Sequence, residues 1–92
     1  MDEVITVKKT ILNRLIRANM WGGKHTPLAF VMKSLPEQLR IRPEGQRVIE
    51  KALKELVNSQ WVKIEKKKTG KSNEDHISLI GDAEEIGKFL QQ

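Results

Sequence analysis

After Ser59 the spacing of the apolar residues changes. Upstream, Ile49, Ala52, Leu53 and Leu56 recur at i, i+3, i+4 and i+7, flanked by Val48 and Val57, which is the repeat of a helix with one buried face. Downstream, Val62 and Ile64 alternate with Lys63 and Glu65, the repeat of a half-buried strand. Thr69-Gly70-Lys71-Ser72-Asn73 is turn chemistry, and residues 76–80 return as a partner strand. A chain that changes period in this way is α+β, mostly α, with its sheet supplied by a hairpin over residues 61–80.

The remaining segments read as helices. Residues 2–19 place Ile5, Leu12 and Ile16 on one stripe with Val4, Ile11 and Leu15 beside it, and Gly22-Gly23 ends the segment. Thr26-Pro27 reads as an N-cap followed by proline at the first helical position, opening a short helix over residues 27–35. Residues 36–42 are a turn with room for one loose helical turn, and Pro43 opens the clearest helix, 43–59. Asp82 with Glu85 three residues on resembles a capping box and starts a last helix, 82–91. Its Ile86, Phe89 and Leu90 could close the core or join two copies of the chain.

Ninety-two residues make one domain, 1–92. Hydrophobic residues at 38% and charged residues at 32% suit a compact domain rather than a disordered one. Without cysteine there is no disulfide and no thiolate metal site, so a reducing, cytoplasmic setting is expected. No apolar run approaches the ~20 residues of a membrane span. Met1-Asp2-Glu3 is acidic, unlike the start of a signal peptide. The net charge of +5 favours a polyanionic partner, and residues 60–72 hold five lysines against one glutamate.

Gly23-Lys24-His25-Thr26-Pro27-Leu28, Ala52-Leu53-Lys54-Glu55-Leu56-Val57, Trp61-Val62-Lys63-Ile64, Lys67-Lys68-Thr69-Gly70 and His76-Ile77-Ser78-Leu79 follow one another in the order helix, turn, helix, basic hairpin. In this, residues 22–79 resemble the winged helix-turn-helix proteins, most of all small archaeal DNA-binding, transcription-regulator-like members. The resemblance implies three helices, a two-stranded hairpin wing and a short C-terminal helix. It also implies that helix 43–59 enters the major groove of double-stranded DNA while the wing touches the backbone or the minor groove. The chain departs from the family in two ways: its turn, 36–42, is long, and Glu44 and Glu50 put negative charge on the reading helix.

On that reading Gln46 and Arg47 reach base edges, and Lys51 and Lys54 sit nearer phosphates. The alternative is a solvated face held by Glu50–Lys54 and Lys51–Glu55 pairs, worth a few tenths of a kcal/mol each. Arg40 and Arg42 either clamp a phosphate at the helix start or are loop cations. Gly45 either permits a close backbone approach or marks a later helix start. Lys63, Lys66, Lys67, Lys68 and Lys71 contact phosphates, or else keep the hairpin from pairing edge to edge. Lys24 and Thr26 are further phosphate candidates. Gly23-Lys24-His25-Thr26 is not a phosphate-binding loop, because His25 intervenes and Ala18 stands where the first glycine belongs.

His25 and His76 stand at no metal-ligand spacing and read as ordinary loop and strand residues, and Trp21 and Trp61 as core plugs. No acid, base, nucleophile or metal set suggests an enzyme, a cofactor or a small-molecule ligand. A homodimer through the terminal helices would double the phosphate contacts. The rival expectation is a winged helix serving as a protein-interaction module of a larger assembly, to which Glu44 and Glu50 are better suited. RNA is a third partner, disfavoured by two tryptophans and two phenylalanines as the only aromatics.

Overall fold

The computed structural model describes residues 2–69 and 72–92, so Lys71 lies outside the described residues. The architecture is α+β and mostly helical, with a three-stranded antiparallel sheet.

Helix α1 (Glu3–Arg17) begins where the Asp2 carboxylate accepts the Val4 amide at 2.9 Å. It ends before the two glycines. Asn19 turns left-handed at φ +56°, its amide bonds to the Ile16 carbonyl, and the Met20 amide reaches back to Leu15, a Schellman close with asparagine in place of glycine. The buried stripe is Val7, Ile11, Leu12 and Leu15, whereas Ile5 and Ile16 are 40% and 36% exposed. The expected stripe was therefore rotated. Apolar residues flank both sides of this helix, and the periodicity alone does not choose the inner one.

Thr26 is not an N-cap. The residue before a proline is pushed to extended backbone, and here that places Thr26-Pro27 as a two-residue strand, β1, pairing with β3 (Ser72–Leu79) at Ile77 and His76. Pro27 caps α2 (Leu28–Met32) without a side-chain hydrogen bond. The helix is shorter than the expected 27–35. Its continuation is a pair of three-residue turns, Ser34 to Val31 and Leu35 to Met32, that still bury Val31 and Leu35.

Residues 36–42 hold a whole short helix, α3 (Glu37–Ile41). Arg42, extended before Pro43, is the single break between α3 and α4 (Pro43–Asn58). Gly45 is the close approach: a Cβ there would lie 2.1 Å from the Leu39 carbonyl oxygen. Helix α4 packs Gly45, Ile49, Ala52 and Leu56 inward and ends in a second Schellman close, with Gln60 at φ +62° and the Trp61 amide bonded to Leu56.

Strand β2 (Val62–Thr69) pairs with β3, giving the order β1-β3-β2 rather than the expected two-stranded ribbon. Val62 faces Leu79 and Ile64 faces Ile77 on the core side. The Gly81 and Ile80 amides both bond to the Trp61 carbonyl, and α5 (Ala83–Leu90) follows, capped by Asp82. Glu85 does not complete a capping box; it accepts the Trp61 indole N–H at 3.1 Å. Ile86 is fully buried and Phe89 stacks at a tilt on Trp61, so α5 closes this core. Among the described residues no helix is long and apolar enough to cross a membrane.

Candidate nucleic-acid interface

The inward face of α4 fixes what its outer face offers. With Ile49, Ala52 and Leu56 against the core, Gln46, Arg47, Glu50, Lys51, Lys54 and Asn58 all stand exposed. Arg47, Lys51 and Lys54 follow at i, i+4 and i+7, spanning about 10 Å along the axis at ~1.5 Å per residue. The pairs expected to neutralise this face do not form. Glu55 is taken by Lys8 of α1, Nζ to Oε1 at 2.8 Å, and Glu50 makes no ion pair with Lys54. Among the described residues, Arg47, Lys51 and Lys54 carry no ion-pair partner.

The arginines and Gln46 at the start of this face are less free. Arg42 is exposed and stands 4.0 Å from Glu44. Arg40 is half-buried, and its Nε is enclosed without a hydrogen-bond partner. The Gln46 side-chain amide donates to the Arg40 carbonyl across the α3–α4 break. It therefore ties the two helices together, with one of its two N–H donors committed.

On the hairpin, strand alternation sorts the lysines into two sets. Lys63 and Lys67 share one face with Glu65 and clamp it from both sides, Lys67 at 3.0 Å. Hydrogen bonds from Lys63 and then Lys67 hold the Glu65 carboxyl down to about 2. Lys66 and Lys68 are on the other face, opposite Asp75 and Asn73, and Lys67 is opposite Glu74. Lys63, Lys66, Lys67 and Lys68, which crowd together in the sequence, are thus interleaved in space with Glu65, Glu74 and Asp75. Lys24 is exposed in the loop before β1, and Thr26 is half-buried within that strand.

The structure also joins two residues that no sequence spacing links. His25 and His76, 51 positions apart, bring their Nδ1 atoms to 2.7 Å. His25 is a loop residue and His76 a strand residue, as expected, and the pairing of β1 with β3 brings them together. The only signal for it is a strand two residues long. Among the described residues no group of three or more His, Cys, Asp or Glu could hold a metal ion. Pro27, Leu28, Ala29, Phe30 and Met32 line an open, mostly apolar groove of about 640 Å³ beside Glu74 and Asp75. No family model, curated protein or solved structure matches the chain.

Proposed function

We propose that the chain is a winged helix-turn-helix protein that binds double-stranded DNA as a transcriptional regulator. Helix α4 would lie in the major groove and the hairpin along the phosphate backbone. The carrying observation is the row Arg47, Lys51 and Lys54, exposed and, among the described residues, without ion-pair partners, with Glu55 spent on Lys8. A strand order of β1-β3-β2, with a long helix running directly into the hairpin, supports the fold assignment. Arg47 near the helix start is the candidate for a base edge, and Lys51 and Lys54 for phosphates. Gln46 spends one of its two N–H donors on the Arg40 carbonyl. On the hairpin, Lys66 and Lys68 are better placed than the two lysines bound to Glu65.

The test is fluorescence anisotropy of a labelled duplex across a salt series, with single-stranded RNA as competitor. About six phosphate contacts give a log–log salt slope near −5. Lys51→Ala with Lys54→Ala should weaken binding for all sequences and flatten that slope by about two. Arg47→Ala should instead erode preference for one sequence. An unchanged affinity in the double variant sinks the α4 assignment. A second reading, a protein-interaction module, is favoured by Ile41, 70% exposed just before α4, and by Val57 on the same helix. Absence of duplex binding at low salt would leave that reading in place.

A further inference from the structure

We infer that the His25–His76 contact is a proton-operated clamp that fastens the β1–α2 segment to the sheet. The ring centroids lie 4.7 Å apart with planes at 70°, and the two Nδ1 atoms are at hydrogen-bond distance. One proton therefore stands between them, a donor N–H on one ring and a lone pair on the other.

The surroundings choose which. His76 is 8% exposed, its Nε2 has no hydrogen-bond partner, and the nearest charge to that nitrogen is Glu74 Oε2 at 3.8 Å. A bare Nε2 lone pair facing a carboxylate would be repelled. A proton on Nε2 is attracted to it, which leaves Nδ1 of His76 as the acceptor and His25 Nδ1–H as the donor. The other charges near His76 on this face do not alter that choice. Glu65, its cross-strand partner, is bound to Lys63 and Lys67, Lys24 is exposed in the loop, and α2 has no ionisable residue.

Acid then acts in two steps. His25 is exposed, so a first extra proton adds at its free Nε2 and makes the shared bond charge-assisted, which tightens it. A second proton has only the bonded lone pair of His76 left to take. Two N–H groups cannot face each other at this distance, so the second proton expels His25. What it releases is specific: a strand of two residues, hinged on Gly22 and Gly23 at φ +61° and +90°, with α2 following directly. Among the described residues no third donor joins the two nitrogens in a metal-holding group, so the proton is the ligand the geometry fits.

The test is NMR on the whole chain, comparing wild type with His25→Ala at matched pH. Imidazole ¹⁵N spectra near neutral pH should show His76 with its proton on Nε2. Amide exchange at Thr26 and Ile77 should be at least tenfold slower in wild type than in His25→Ala near pH 7. That ratio should hold or rise as the first proton adds, and fall to about one only at lower pH, once the second proton has added. His76 carrying its proton on Nδ1, equal exchange in the two proteins near pH 7, or a difference that survives at every acid pH at which the fold persists would each overturn the clamp. His25 is an exposed loop residue, so the variant keeps the core intact.

Discussion

Replacing Gly45 by alanine tests the junction on which the α4 face depends. In an ordinary helix the change stabilises by about 1 kcal/mol through propensity. Here the new Cβ would meet Leu39 carbonyl oxygen at 2.1 Å and its carbonyl carbon and Cα at 2.6 Å. All three are backbone atoms, so no rotamer change relieves the overlap, and α3 must move off α4 by about 1 Å. Overpacking of this kind costs about 3 kcal/mol, the upper end of its usual range. Losing the Gln46–Arg40 hydrogen bond adds about 1 kcal/mol. Setting the propensity gain against these leaves a net destabilisation of about 3 kcal/mol. For a domain of this length that lowers the melting temperature by roughly 12–24 °C. The assay is thermal and urea unfolding followed by circular dichroism, with Gly87→Ala as an internal comparison. Gly87 is also helical, but its added Cβ meets nothing within 4 Å. That variant should be more stable than wild type by about 0.5–1 kcal/mol. A Gly45→Ala protein as stable as wild type would refute the close approach of α3 to α4.

The remaining expectations are brief. Gln60→Gly should stabilise by about 1 kcal/mol, because Gln60 holds a left-handed backbone that glycine adopts without strain; unfolding midpoints decide it. Glu65→Gln should free Lys63 and Lys67 and, if the hairpin contacts phosphates, steepen the salt slope of duplex binding by up to about two. The Glu65 carboxyl sits near 2, below its ordinary 4.5, so its bond to the two lysines is intact above about 4.5 and is lost as pH falls through about 2. Wild-type affinity should therefore show no step between pH 5 and 8 arising from Glu65, which a buffer series at constant ionic strength would reveal.

The parts legible in the sequence are those carried by local periodicity. Helix α4 starts at Pro43 as its sequence indicates, and Val62 and Ile64 alternate with charged residues as a strand must. What escaped depends on partners far along the chain. Thr26-Pro27 has the grammar of a helix start, and only Ile77 and His76 turn it into a strand. Glu55 is four residues from Lys51 yet bonds Lys8, 47 positions away, because α1 packs against α4. That exchange of partners takes from Lys51 the acid its spacing offers on the outer face of α4. The lysine cluster is tempered in space by the returning strand. Strand pairing returned Glu74 and Asp75 to positions opposite Lys67 and Lys66.

The strand order has a consequence for how the chain reaches its fold. Both β1 and β2 pair with β3, which follows both in the chain, and among the described residues neither pairs with the other. The β2–β3 ribbon can close locally in microseconds. Joining β1 to it must bring together residues some 50 positions apart, at the cost of a long loop. Sheet formation is therefore ordered, with the ribbon first and the N-terminal strand added last, and a nascent chain that has not yet exposed β3 has helices to form but no sheet to complete.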